Sequence, residues 1–159
     1  MEVRTVDINT IATTNDNKQY IVVKIGSEQY GIDISFVDNI VRLQKITRVP
    51  KAQKYFKGII NLRGEVVPVM SLRLKMCLDN DEFTDKSRII ILRVDQRGLL
   101  GIMVDEVKEV VTLSSTQIDK YNPDSKDEQS TYIKGVGKHD NQLISLLDIF
   151  SIVEDHETE

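Results

Sequence analysis

The sequence predicts a mainly β protein built from two similar small barrels that pack on each other, with short helices between the strands. Three observations predict it. First, the chain repeats itself. Displaced by 70 residues, Tyr30-Gly31-Ile32-Asp33-Ile34 falls on Leu100-Gly101-Ile102-Met103-Val104, and Val37, Ile40, Val41 and Leu43 fall on Val107, Val110, Val111 and Leu113. Displaced by 77, Lys57-Gly58-Ile59 falls on Lys134-Gly135-Val136, and Val66–Leu72 falls on Leu143–Ile149. Second, each half reads as about five short apolar runs bounded by turn formers, the spacing of barrels that close to remove their sheet edges. Third, neither half holds enough apolar residues for a large core of its own, so the two barrels share one.

Taken in order, residues 1–18 are rich in Thr, Asn and Asp without periodicity, and read as a mobile arm with one docking strand near Val6–Ile11. From Tyr20 the pattern is β. Ile21, Val23 and Ile25 alternate, Gly26-Ser27-Glu28 turns the chain, and Tyr30, Ile32 and Ile34 return. Phe36, Val37, Ile40 and Val41 show helical spacing, with Ser35 as a possible cap. Lys45–Val49 reads as a strand stopped by Pro50, Ala52–Lys57 as one helical turn, and Leu72–Leu78 as a short helix or extended end. Asp79-Asn80-Asp81-Glu82, with Thr84-Asp85, is a polar linker. The seven extra residues of the second half belong in the polar loop Asp119–Thr131. The folded unit therefore covers 19–153, with a first barrel over about 19–84 and a second over about 85–148. A helix capped by Asp148 covers about 148–155, and 156–159 is an acidic tail.

The centre of the chain is a hairpin. Ile59–Leu62 and Val66–Met70 flank Arg63-Gly64-Glu65, and Gly64 supplies the positive φ of a two-residue loop at its first central position. Pro68 cannot donate to a ladder, so the second strand has one unpaired side there.

Composition bounds the function. At 159 residues, 40% hydrophobic and 29% charged, the chain is that of a folded soluble domain rather than a disordered one. No apolar run approaches the ~20 residues of a membrane span, and Met1-Glu2-Val3-Arg4 opens no secretory segment. The single Cys77 excludes an internal disulfide and a cysteine-only metal cage; it reads as a small buried hydrophobe. A cytoplasmic protein is expected. The net charge of −4 divides into +5 over residues 1–78 and −9 over residues 79–159.

These residues bear on three function classes. For catalysis there are only His139, in a Lys-His-Asp-Asn turn, and His156, in the tail, and no phosphate loop, dinucleotide fingerprint or metalloprotease helix. Asp105, Glu106 and Glu109 read as a wet face, so no enzyme and no cofactor is expected. For nucleic acid, Arg42, Lys45, Arg48, Lys51, Lys54 and Lys57 recur every third residue. Against this stand the negative total charge, the absence of Trp and only Tyr55 and Phe56 among those cations, which favours a solvated surface. The third class is a partner-binding surface. Phe36, Val37, Ile40 and Val41 and their repeat mates Val107, Val110 and Val111 face each other across a pseudo-twofold axis, as shared core or as a groove for the apolar face of a partner helix. Arg63 has two readings, a rim donor to a partner or a structural Arg paired with Glu65.

Asn61-Leu62-Arg63-Gly64 and then Pro68-Val69, after Lys57-Gly58, resemble the signature of the CheW family, the coupling proteins of bacterial chemotaxis arrays; the resemblance runs from about Tyr20 to Val153. It implies two five-stranded SH3-like barrels, no catalysis, no cofactor and no direct membrane insertion. It implies two partners, the cytoplasmic tip of a chemoreceptor and the regulatory domain of the histidine kinase CheA, at membrane-associated receptor arrays. By motif position, Val37, Ile40, Gly58, Arg63 and Val110 are expected to contact the receptor, and Gly64, Glu65 and Val66 the kinase. Ser71 stands where the family often has Asp, a change that keeps a capping oxygen, and Asn39 stands where many members carry Glu. Two alternatives remain open: a CheW-like scaffold of another chemosensory pathway, and a small β-barrel nucleic-acid-binding protein.

Overall fold

The computed structural model describes residues 16–76, 78, 82–95, 98–120 and 132–157. Among these, the strands are β1 (Lys18–Ile25), β2 (Glu28–Asp33), β3 (Val37–Arg42), β4 (Phe56–Leu62), β5 (Glu65–Ser71), β6 (Arg88–Arg93), β7 (Leu99–Val104), β8 (Glu106–Leu113), β9 (Ile118–Lys120), β10 (Ile133–His139) and β11 (Gln142–Leu147). Two helices follow β5 and β11, namely α1 (Leu72–Lys75) and α2 (Ile149–Glu157).

Two sheets result. One has the order β8-β1-β2-β11-β10-β9, the other β3-β6-β7-β5-β4. The repeat matches β1 to β6, β2 to β7, β3 to β8, β4 to β10 and β5 to β11. Substituting each strand by its mate turns one order into the other, apart from the short β9. The parallel pairs agree as well: Leu146 lies opposite Gly31 in one sheet and Val69 opposite Gly101 in the other.

The sheets do not follow the expected division of the chain near residues 84 and 85. Each barrel takes its central hairpin from the other half: β1–β2 sits between β8 and β11, and β6–β7 sits between β3 and β5. The reason lies in the side chains. Ile89, Ile90, Ile91 and Leu92 of β6 are all buried, as are Tyr20–Val23 of β1. Strands that are apolar on both faces need cover on both, which only the middle of a sheet between two cores provides.

Alternation then sorts these residues into three clusters. Tyr20 and Val22 join Val111, Leu113, Ile144 and Leu146 inside one barrel. Ile89 and Ile91 join Ile60, Val67, Val69 and Met103 inside the other. Ile21, Val23, Ile90, Leu92 and Ile102, with Leu72, Met76, Ile149 and Ile152 from the helices, form the shared core between the sheets. At about 1.5–3 kcal/mol per fully buried aliphatic side chain, this shared layer is the main force holding the barrels together. Lys75 is buried beside it, with Nζ 3.9 Å from the ring centroid of Tyr55 and 5.4 Å from that of Tyr132. These tyrosines are themselves repeat mates, and their carbonyls accept from the N–H groups of Ser71 and Asp148, each at 2.7 Å.

Several local expectations need correction. Phe36–Val41 is not a helix: a 3₁₀ turn at Ile34–Phe36, capped by Asp33 Oδ1 accepting from the Ser35 N–H, leads into β3. The helical spacing comes from a bulge between Val37 and Asn39, which adds one residue and brings Val37 and Ile40 onto the same face. Opposite the matching part of β8, the β1 ladder shifts in the same way between Val22 and Val23, whose partners are Glu109 and Val107. Lys45–Val49 contributes only an isolated bridge, Thr47 to Ile59, and Ala52–Lys57 is not a helix: it turns at Lys54-Tyr55 and enters β4 at Phe56. The central hairpin turns one residue earlier than expected. Leu62 pairs with Glu65, and both Arg63 (φ 54°) and Gly64 (φ 86°) have positive φ, as a type I′ turn requires. The C-terminal helix reaches Glu157, so it includes the first two residues of the expected tail. Ser71 Oγ accepts from the Leu74 N–H and Asp148 Oδ1 from the Ser151 N–H, so Ser and Asp cap the two related helices alike. The expected docking strand near Val6–Ile11, buried Cys77 and most of the loop to Thr131 lie outside the described residues.

Pro68 fits as the sequence requires. Its partner Ile59 uses both its N–H and its C=O on Thr47, at 2.8 Å each, so the Ile59–Pro68 pair needs no proline donor. The parallel ladder to β7 starts only at Val69. The Thr47 bridge depends on Gly58, which has φ 141° and whose added Cβ would lie 2.2 Å from Thr47 O; nothing lies within 4 Å of a Cβ added at Gly64. Gly58→Ala should therefore cost about 3 kcal/mol or more, and Gly64→Val only about 1–2 kcal/mol of backbone strain. Urea midpoints measure both, and equal shifts would contradict this assignment.

Candidate docking surfaces and family

The two bulged strands carry the first candidate surface. Val37 lies opposite Leu92 and Ile40 opposite Ile90, and both partners belong to the shared core. On the other side Val107 lies opposite Val23 and Val110 opposite Ile21, again shared-core residues. Val37 and Val107 pack against that core, while Ile40 and Val110 run past its edge and are 37% and 50% exposed. The shared core thus ends in two apolar rims related by the repeat. The sequence reading treated these residues as core or groove; the structure divides them, with Val111 buried, Val37 and Val107 half-buried, and Ile40 and Val110 in the open.

The rims differ in what flanks them. Beside β3, Phe36 meets Phe150 of α2 edge to face, with centroids 5.3 Å apart at 88°, and Phe150 and Ile34 are exposed. Phe150 was missed from sequence; it is the one large apolar residue that α2 turns to solvent. Beside β8, the repeat places Arg73 where Phe150 stands. Arg73 donates through Nε to Asp105 Oδ1 at 3.1 Å and through Nη2 to Oδ2 at 2.6 Å, and the Gly26 N–H donates to Oδ2 at 2.8 Å. Burial pushes the Asp105 carboxyl up. The Arg73 and Gly26 hydrogen bonds and the charges of Arg73 and Lys24 outweigh it and hold the group below the ordinary carboxylate value.

The second candidate surface is the tip of the β4–β5 hairpin. Arg63, Gly64, Glu65 and Val66 are all exposed there, and the Gly64 N–H donates to Asn61 Oδ1 at 3.2 Å. Among the described residues Arg63 makes no ion pair, with Glu65 or any other acid. Val66 is 63% exposed, and its repeat mate Leu143, two residues after the positive-φ pair Asp140-Asn141, is 64% exposed. Leu143 was not singled out from sequence, although the displacement of 77 points to it. The expected receptor residues do not form one patch in strand order: β3 and β4 stand at opposite ends of their sheet. Gly58 is buried and acts through its backbone, by admitting Thr47. Among the described residues no group of three or more His, Cys, Asp or Glu gathers to hold a metal ion.

Comparison with known proteins decides the family. The model of the CheW-like domain matches residues 19–157. The chain belongs to the CheW family of chemotaxis coupling proteins. The chemotaxis protein CheW of Bacillus subtilis is 32% identical over 143 residues, covering 90% of this chain and 91% of that one. That of Klebsiella aerogenes is 29% identical over 150 residues, covering 94% and 90%. Among solved structures, the scaffolding protein TtCheW from Thermoanaerobacter tengcongensis superposes with a TM-score of 0.76 at 30% identity, over 82% of this chain and 88% of that one. The CheW fold of paired SH3-like barrels accounts for the repeat, and the interleaved hairpins explain why neither half has a core of its own.

The Asp105 geometry has a measurable consequence. Its folded pKa lies below the unfolded one, so the carboxylate contributes stability above about pH 4, and this is lost as pH falls through the folded value. In Asp105→Asn the urea midpoint should fall less steeply on acidification below about pH 4 than in the wild type; identical slopes would contradict the role given to Arg73 and Gly26.

Proposed function

We propose that the chain is a non-catalytic adaptor that couples the cytoplasmic tips of chemoreceptors to the regulatory domain of the histidine kinase CheA. The observation that carries this reading is the pair of repeat-related rims at which Val37 and Ile40, and Val107 and Val110, extend the shared core into solvent. Such a surface suits the apolar stripe of a helix, because each rim continues a packed layer and costs little ordering on binding. The receptor tip is assigned to Val37, Ile40 and Val110, with Arg63 as a hydrogen-bond donor to carbonyls or a carboxylate and Gly58 as the residue that shapes the strand beside it. The kinase regulatory domain is assigned to the hairpin tip, where Gly64 sets the turn and Glu65 and Val66 present one charge and one apolar side chain. These partners place the protein at membrane-associated receptor arrays, with no insertion of its own; no helix among the described residues is long and apolar enough to cross a membrane.

Titration calorimetry against a receptor-tip fragment and against the kinase regulatory domain tests the assignment. Ile40→Asp and Val110→Asp should each weaken the receptor by about tenfold or more, a loss on the order of 1.4 kcal/mol, and leave the kinase unaffected. Val66→Asp should do the reverse, and Arg63→Ala should weaken the receptor with melting unchanged, since Arg63 is exposed. Wild-type affinities in all four variants would refute the sites, and no binding of either partner by the wild-type protein would refute the function.

A further inference from the structure

The cations that recur every third residue after β3 have no part in coupling as described, and the structure gathers most of them. Arg48, Lys51, Lys54 and Lys57 line one open concavity of about 790 Å³ formed by the segment that joins β3 to β4 and by the start of β4, with Val49 and Phe83 among its apolar lining. Arg48, Lys51 and Lys54 are exposed, as are Val49 and Phe83. Among the described residues no acidic side chain lines the hollow, and none of the four cations makes an ion pair. Lys51 follows Pro50 with φ 61°, a left-handed conformation that strains any residue with a Cβ, yet a long cation stands there. A neighbouring hollow, lined by Arg42, Asp85 and Arg88, is a different case: it holds its own acid, and Arg88 Nη1 donates to the carbonyls of Asp85 and Ser87 at 2.7 Å each.

We propose that this face is a second docking surface, separate from the receptor and kinase sites, for an acidic peptide segment of a partner protein that carries an apolar anchor residue. Charge selects the acids: a cluster of four cations, with no ion pair among the described residues, attracts carboxylates and speeds encounter. The exposed Val49 and Phe83 select the anchor, since burying them removes apolar surface from water. A long polyanion fits less well. Residues 79–159 carry −9, which repels an extended nucleic acid but not a short segment seated in the hollow.

Selection of short random peptides displayed on phage against the full chain tests this, followed by fluorescence anisotropy of the enriched peptides. Enriched sequences should carry two or more Asp or Glu beside a Leu, Ile or Phe. Binding should weaken by about tenfold in the Lys51→Glu/Lys54→Glu variant and fade with added salt. Phe83→Ala should weaken it without changing the salt dependence. Both variants should melt like the wild type and still bind receptor tip and kinase domain, which separates this surface from the proposed coupling sites; Lys54→Gln, which removes a charge without reversing it, is the milder variant should the double variant unfold. Enrichment of peptides without acids, no enrichment at all, or equal binding by the charge-reversed protein would overturn the proposal. So would a single-stranded oligothymidylate that outcompetes the peptides at moderate salt, which would assign the surface to nucleic acid, or loss of receptor or kinase binding in these variants, which would fold it into the coupling site.

Discussion

Three strands have no polar face, and the rest of the structure follows from that. β1, β6 and β7 carry apolar side chains on both sides, so each must lie in the interior of a sheet with a core above and below; β2, their fourth companion, buries Tyr30 and Ile32 on one face and places Gly31 on the other. A barrel built from one half alone offers such a strand only one core, its own interior. Exchanging the central hairpins gives each of these strands a barrel interior on one face and the shared layer on the other. Two small barrels that would each be marginal by size therefore stabilise one another.

The same geometry makes the surface. A shared core between two sheets has margins, and β3 and β8 bound it. On an unbulged strand, Val37 and Ile40 would point to opposite faces, as would Val107 and Val110. One extra residue in each strand brings both members onto the inter-sheet side, the first packed and the second in water. Duplication has given two such rims, and divergence has made them unequal. One is flanked by the Phe36–Phe150 pair, the other by the Arg73–Asp105 ion pair anchored on the Gly26 N–H. The two rims thus present related shapes with different chemistry.

Much of this was legible in the sequence. The displacements of 70 and 77 residues gave the strand correspondence, the conserved spacing of Gly31 with Gly101 and Gly58 with Gly135, and the need for a shared core. The motif around Asn61–Gly64 pointed to the family that the comparisons confirm. What the repeat does not encode is which half a strand pairs with, since a displacement matches strand to strand without naming the neighbours of either; this is why the chain divides differently from the expectation near residue 84. The bulges were hidden for a related reason. An inserted residue in a strand produces a three-residue spacing of apolar positions, which looks like a helix. Gly58 shows the limit for sites: from the motif it resembles a contact residue, but the space a Cβ would need is filled by Thr47 O. Arg63 keeps its place as a candidate because it stands exposed at the turn.

The interleaved core is the central claim, and native-state hydrogen exchange under low urea measures it most directly. The account predicts that the slowest amides of β1–β2 and of β6–β7 exchange with one common free energy and one common urea dependence, as members of a single cooperative unit. Amides of one hairpin opening at a clearly lower free energy while the other stays protected would mean that the barrels stand independently, and would contradict it.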